Sequence, residues 1–148
     1  MIGSGNKPRV LILCTGNSAR SQIAEGLLRH FGNGRYEVSS AGTKPTCLNP
    51  LAIEVMQEMG IDISQQRSKS VAEFAGQAFH TVITVCDSAA EQCPVFPGAP
   101  QRVHWSLPDP AAVAGTYQEK LHAFREVRDE LQARIRSFVD SPLSELRS

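Results

Sequence analysis

The fold is decided by residues 10–21, which read Val10-Leu11-Ile12-Leu13-Cys14-Thr15-Gly16-Asn17-Ser18-Ala19-Arg20-Ser21. The first four are branched apolar residues, a run typical of a strand that is buried on both faces. A cluster of small, turn-forming residues follows. Apolar residues then recur at helical spacing, at Ile23, Leu27 and Phe31, until Gly32. The sequence therefore predicts a strand, a small-residue loop and a helix in direct succession.

The rest of the chain continues this alternation. Further strands are predicted over residues 36–40, 80–85 and 102–105, and further helices begin at Asn49-Pro50, at Ser70 and after the capping box of Thr116 and Glu119. The last helix carries one apolar stripe, which consists of Leu121, Phe124, Val127, Leu131, Ile135 and Phe138. This pattern predicts an α/β three-layer sandwich, in which a four-stranded parallel sheet has helices on both faces.

The length and charge of the chain limit the number of domains and the kinds of partner that we expect. A chain of 148 residues suits one domain, which we expect to span residues 1–148. Because 15 acidic and 15 basic side chains balance, the composition predicts no nucleic-acid partner and no membrane partner. Residues 1–9 show no apolar signal core, so the sequence predicts a cytoplasmic protein.

The small-residue loop has the features of an oxyanion site. A loop that wraps a helix N-terminus directs several backbone N–H groups at one point, where the helix dipole also favours an anion. Arg20 can donate two N–H groups to a tetrahedral oxyanion, and Gly16 and Asn17 suit the unusual backbone angles of such a loop. The predicted oxyanion-binding residues are Thr15, Gly16, Asn17, Ser18, Ala19 and Arg20.

Cys14 stands at the start of this loop and is the predicted nucleophile. A helix N-terminus and a nearby arginine favour the thiolate form of a cysteine, and a thiolate facing an oxyanion can attack it. Ser18 and Ser21 are expected to donate hydrogen bonds to the sulfur. The alternative is a buried strand-end cysteine beside a surface arginine. The strand–loop–helix context favours the functional interpretation.

Residues 14–26 resemble the active-site loop of the low-molecular-weight protein tyrosine phosphatase fold, and within it that of the thioredoxin-coupled arsenate reductases. The similarity extends from Val10 to about Ile135. The other matching segments are Ser40-Ala41-Gly42-Thr43, Asn49-Pro50, Gly60-Ile61-Asp62-Ile63-Ser64, Val85-Cys86-Asp87, Cys93-Pro94, Pro108-Asp109-Pro110 and Phe124-Arg125-x-Val127-Arg128-Asp129.

The resemblance implies a first chemical step. Arsenate, for which phosphate and sulfate are analogues, would bind against Arg20, and the Cys14 thiolate would attack arsenic. Asp109 matches the general acid that protonates the leaving oxygen. Without the resemblance, an ordinary turn aspartate would be an equal interpretation of Pro108-Asp109-Pro110.

The resemblance also implies a relay of three cysteines. Cys86 would attack the sulfur of the Cys14–arsenic adduct and release arsenite, Cys93 would then attack Cys86, and thioredoxin would reduce the exposed Cys86–Cys93 pair. Two residues seven positions apart lie about 10 Å apart along a helix, whereas a disulfide needs Cα atoms within about 7 Å. We therefore expect residues 87–92 to be helical when reduced and looped when oxidised.

Other functions stay open at this point. A low-molecular-weight phosphatase would use the same loop and Asp109, but it leaves Cys86 and Cys93 unexplained. A phosphorylated carrier domain would need no general acid, and the cysteine spacing argues against structural zinc. The sequence predicts no cofactor and no metal: some arsenate reductases of this kind bind potassium, but Lys69 stands where a ligating carboxylate would be. Cys47 has no predicted role.

Overall fold

A computed structural model describes residues 7–87 and 96–140. Its strands are β1 (Arg9–Cys14), β2 (Glu37–Gly42), β3 (Thr81–Thr84) and β4 (Gln101–His104). Its α-helices are α1 (Arg20–Gly32), α2 (Pro50–Gln57) and α3 (Tyr117–Val139), and two short 3₁₀ helices cover Val71–Phe74 and Pro110–Ala112. Cys93, residues 88–92 and the tail from Ser141 lie outside the described residues, so the predictions that concern them stay predictions.

The four strands form one parallel sheet in the order β2-β1-β3-β4, which confirms the predicted sheet. β1 pairs on both sides, with Leu13 opposite Ala41 of β2 and opposite Thr84 of β3. The chain therefore adds β2 on one side of β1 and then β3 and β4 on the other side. Ligands of parallel sheets bind at such a reversal point, beyond the carboxyl ends of the strands. Cys14 is the last residue of β1 and lies there.

The two faces of the sheet are covered differently. Val10, Ile12 and Cys14 face a core shared with α1, α2 and α3. Leu11 and Leu13 face a smaller cluster with Phe79 and Phe96, against which the 3₁₀ helix Val71–Phe74 packs. Because side chains alternate along a strand, the continuous apolar run of β1 supplies both clusters.

The helix ends follow the predicted capping chemistry. Asn49 Oδ1 accepts the Leu51 N–H at 2.8 Å, and Thr116 and Glu119 form the predicted capping box. The predicted stripe of α3 differs only at its end: Phe138 packs partly buried against the core, and Val139 takes the fully buried position. The stripe advances by four residues from Leu131 to Ile135 and again to Val139, as helical geometry requires. Within the described residues, no helix combines the length and apolarity needed to cross a bilayer.

Candidate active site

A cleft of about 660 Å³ opens at the carboxyl end of β1. One side is the loop that follows β1, and the other sides come from the segment after β2, the residue after Cys86, and the second 3₁₀ helix with the two residues before it. The lining residues are Cys14, Thr15, Gly16, Ser18, Ala19, Arg20, Lys44, Thr46, Asp87, Pro108, Asp109, Ala111 and Ala112.

The Cys14 thiol lies at the N-terminus of α1 with two polar contacts. Its Sγ is 2.9 Å from Ser21 Oγ, and the Asn17 N–H donates to the sulfur at 3.3 Å. Ala19 caps α1 without a side-chain hydrogen bond, and the first turn contains no acidic residue. The positive end of the helix dipole therefore meets the cleft without a compensating side-chain charge from that turn. Ser18, the second predicted hydrogen-bond donor to the sulfur, lines the cleft.

Asn17 fixes the shape of the loop. Its φ of 46° is in the left-handed region, and its side chain is completely buried. The amide Nδ2 donates to Ser21 Oγ at 2.7 Å and to Ser40 Oγ at 3.0 Å. Its Oδ1 accepts from the Lys69 N–H at 2.7 Å and from Gln22 Nε2 at 3.1 Å. Four hydrogen bonds thus hold the residue of this loop that has a left-handed backbone.

Two glycines near the loop have different roles. Gly16 was expected to adopt unusual backbone angles, but this was wrong: within the loop, Asn17 and not Gly16 has a positive φ. A Cβ at Gly42, at the end of β2, would clash with the backbone oxygen of Thr15 and lie 2.9 Å from Asn17 N. Gly42 is therefore required because the loop backbone passes directly against β2.

Arg20 connects the loop to the segment that carries Asp109. The guanidinium is buried, and its Nη1 donates to the Leu107 carbonyl at 3.1 Å. Its Nη2 lies 3.9 Å from Asp109 Oδ2. Asp109 Oδ1 accepts the Ala111 N–H at 3.0 Å and so caps the second 3₁₀ helix, while its side chain stays 40% exposed. The cleft therefore brings Cys14, a buried cation and a rim carboxyl together.

The sequence matches a known protein family. Residues 9–147 match the family model described as low molecular weight phosphotyrosine protein phosphatase. The chain belongs to this family. A family member named arsenate reductase, from Halalkalibacterium halodurans, is 43% identical over 136 residues, which cover 92% of this chain and 98% of that protein.

Solved structures of family members are also similar. A structure described as an arsenate reductase in the phosphate binding state is 32% identical, with a TM-score of 0.77, and the match covers 89% of this chain and 96% of that one. The Corynebacterium glutamicum thioredoxin-dependent arsenate reductase is 30% identical, with a TM-score of 0.71. That match covers 95% of this chain but 63% of the other. The phosphatase-like α/β fold predicted from the sequence is confirmed.

Cys86 lies beside the loop that follows β1, but its sulfur is in a different oxidation state from that of Cys14. The Val85 N–H donates to the Leu13 carbonyl at 2.9 Å, so Cys86 is within one residue of the register of Cys14. Strand spacing then puts the two Cα atoms about 6 Å apart. Cys86 is fully buried and disulfide-bonded, whereas Cys14 and Cys47 are free thiols. The expectation of an exposed disulfide was therefore wrong at Cys86, because its sulfur is covered.

The oxygens of Glu25, Ser40 and Asn17 beside Lys69 are already engaged, so this cluster does not fit a metal cation. Lys69 Nζ lies 3.9 Å from Glu25 Oε1, and Ser40 Oγ donates to that oxygen at 2.5 Å. Arg29 binds the other oxygen of Glu25 at 2.7 Å, and both lone-pair directions of Asn17 Oδ1 are occupied. Burial lowers the pKa of the Lys69 ammonium, and the Glu25 carboxylate opposes this shift. Among the described residues, no group of three His, Cys, Asp or Glu side chains could hold a metal.

Sequence reasoning missed the wall that follows β2. Lys44 and Thr46 line the cleft, and Gly42 supports the loop from below. Gln22 Nε2 also holds the loop, through the Asn17 carbonyl at 3.0 Å and the Arg67 carbonyl at 2.9 Å. The position of Lys44 and Thr46 just after a predicted strand could have indicated this wall, because residues that follow a parallel strand lie at the ligand-binding edge of the sheet.

Proposed function

We propose that this protein reduces arsenate to arsenite in the cytoplasm, within one domain spanning residues 1–148. Cys14 is the nucleophile, Cys86 and Cys93 are the resolving cysteines, and thioredoxin is the reductant. One observation carries the proposal: an anion cleft with a free thiol at its helix N-terminus adjoins the end of the next strand, where a second cysteine is in an oxidised state. Hydrolysis needs only the first sulfur, whereas a two-electron reduction needs both.

The first step joins the substrate to Cys14. The N–H groups of residues 15–20 and the Arg20 guanidinium bind the arsenate oxygens, and the Cys14 thiolate displaces one of them from arsenic. Asp109 protonates the leaving oxygen, which departs as water. The contact of Asp109 with Arg20, at 3.9 Å, supports this role because Arg20 is also the oxyanion ligand.

The second step moves two electrons to arsenic. The Cys86 thiolate attacks Cys14 Sγ, the electron pair of the sulfur–arsenic bond stays on arsenic, and arsenite leaves as a Cys14–Cys86 disulfide forms. The Cys93 thiolate then attacks Cys86 and frees Cys14. Because Cys86 is completely buried, we propose that thioredoxin attacks the Cys93 sulfur and that Cys86 is the leaving thiolate.

Phosphotyrosine hydrolysis is the second candidate, and the family match and the oxyanion loop support it. The side chains that line the cleft favour a small inorganic ion as the substrate instead. Ala111 and Ala112 follow the Asp109-Pro110 pair on the cleft wall, and none of the described residues lining the cleft is aromatic. A phenyl ring would therefore find no aromatic side chain to stack against.

The test is arsenate-dependent NADPH oxidation in the presence of thioredoxin and thioredoxin reductase. We expect steady turnover for the wild type and a loss of at least about 100-fold for Cys86→Ser and for Cys93→Ser, since each variant breaks the relay. Cys47→Ser is the matched control, because Cys47 is a free, exposed thiol, and its rate should stay within about twofold.

Hydrolysis of p-nitrophenyl phosphate by the same variants separates the two candidates. A reductase retains only a weak hydrolytic activity that Cys86→Ser does not change. Efficient hydrolysis by the wild type without arsenate-driven NADPH oxidation would overturn the proposal in favour of the phosphatase. Full arsenate turnover by Cys86→Ser would overturn the relay.

A further inference from the structure

Lys44 lies on the wall of the cleft in a fixed backbone segment. Its N–H donates to the Thr15 carbonyl at 2.9 Å, and the Thr46 N–H donates to the Gly16 carbonyl at 3.1 Å. These two hydrogen bonds join the segment after β2 to the oxyanion loop. The backbone pairing therefore places Lys44 at the edge of the cleft, where its side chain is within reach of a bound anion.

The charged side chains that line the cleft are two basic and two acidic. The charged lining residues are Arg20, Lys44, Asp87 and Asp109. Arg20 already lies near Asp109 and donates to a carbonyl. The exposed Lys44 ammonium makes no hydrogen bond or ion pair with any residue in 7–87 or 96–140. The cleft lining thus includes one buried, shared guanidinium and one exposed lysine whose ammonium no described residue engages.

A phosphate-like oxyanion carries more than one negative charge at neutral pH. A single guanidinium with a carboxylate beside it does not compensate that charge. We propose that Lys44 is a substrate-binding residue, which attracts the inorganic oxyanion to the cleft and pairs with it there. The inference rests on the proposed function for its substrate. Lys44 acts on oxyanion capture and takes no part in breaking or forming bonds to arsenic.

The primary test is the binding of inorganic phosphate, measured by calorimetry without thioredoxin or turnover. At an ionic strength of about 0.02 M, we expect Kd to rise about fivefold in Lys44→Gln and about 20-fold in Lys44→Glu, and to stay within about twofold in Lys44→Arg. At about 0.5 M salt the differences should shrink to less than about twofold, because the Debye length becomes shorter than the side chain.

Lys7→Gln is the matched control, because Lys7 is exposed and precedes β1, at the opposite end of the strand from the cleft. It removes the same net charge and should leave phosphate binding unchanged. Equal losses in Lys7→Gln and Lys44→Gln would overturn the proposal, as would salt-independent binding or unchanged affinity in Lys44→Glu.

A second readout is the KM for arsenate in the coupled assay. Lys44→Gln should raise KM by the same factor as the phosphate Kd and leave kcat within about twofold. A fall in kcat with unchanged KM would assign Lys44 to the chemical step and overturn the proposal. If the wild type does not reduce arsenate, the proposed function fails, while phosphate binding still decides the role of Lys44.

Discussion

The loop of residues 14–21 and the segment of residues 107–112 face each other across the cleft, yet they are held in different ways. The first contains a completely buried Asn17 with four side-chain hydrogen bonds, and β2 supports it from below. The second carries Asp109, whose side chain is 40% exposed and has the Ala111 N–H and Arg20 as partners.

This difference separates two requirements of oxyanion chemistry. Groups that bind charge are most effective when they are fixed before the substrate arrives, because no reorganisation is then needed during the reaction. A proton donor must exchange protons with solvent between turnovers, so it benefits from partial exposure. Arg20 belongs to the first segment and contacts Leu107 and Asp109 of the second, so it aligns the two segments.

Removing the hydrogen bonds of Asn17 should have the largest effect. We expect Asn17→Ala to lower kcat/KM for arsenate by at least about 300-fold, because three buried side-chain partners and the partly buried Lys69 N–H lose their contacts and the loop loses its shape. Asn33→Ala is the matched control: Asn33 also has a left-handed φ, of 51°, but it is exposed at the end of α1. Its activity should be normal. Comparable activity losses in both variants would contradict a fixed loop.

Gly42→Ala tests the support of the loop by β2. The added methyl group would clash with the Thr15 carbonyl oxygen, so we expect the free energy of unfolding to fall by about 3 kcal/mol in urea denaturation. At Gly16 the nearest atom to an added Cβ is 3.7 Å away, which is an ordinary contact. Gly16→Ala should therefore cost less than about 1 kcal/mol. An equal cost at the two sites would mean that the loop is not pressed against β2.

Asp109→Asn should affect chemistry and leave anion binding in place. We expect kcat to fall about 50-fold if Asp109 is the proton donor that we propose, while phosphate binds as tightly or more tightly beside Arg20. Asp62→Asn is the control, since Asp62 also accepts an N–H two residues ahead, from Ser64 at 2.9 Å, but does not line the cleft. Weakened phosphate binding in Asp109→Asn would show that this segment belongs to the fixed binding site.

The smallest expected effect lies away from the cleft, where Arg125 and Arg128 pair with Glu58 between α2 and α3. The Arg125 hydrogen bond, followed by Arg128, holds the pKa of Glu58 at about 2, below its ordinary 4.5. A lowered folded-state pKa stabilises the fold above pH 4.5, and this contribution is lost as the pH falls from 4.5 through 2.

We therefore expect Glu58→Gln to cost about 1 kcal/mol at pH 7, a value discounted for partial exposure, and less at pH 3.5. Unfolding in urea at both pH values measures this. Glu130→Gln, which removes an exposed pair with Arg134, should cost less than about 0.5 kcal/mol. A pH-independent cost of Glu58→Gln would show that lost packing and not charge is responsible.

Much of the active cleft could be predicted from local sequence. Cys14, Arg20 and the turn-forming residues between them lie in one continuous segment, so their meeting needs no long-range information. Asp109 is predicted only through the family resemblance, since its own sequence context equally suits a turn. Lys44, Gly42 and Gln22 were missed because their roles depend on which strand or loop lies beside them.

The sequence by itself determined the succession of elements, the helix caps at Asn49 and Thr116, and the small-residue loop to which we assign anion binding, because apolar periodicity and capping act over a few residues. Only the tertiary structure decided that β3 pairs with β1, which brings Cys86 beside the loop across 72 residues. It also decided that Cys86 is buried and that Lys44 reaches the cleft. The physical reason is that strand pairing and burial depend on packing between distant segments, which no local pattern specifies.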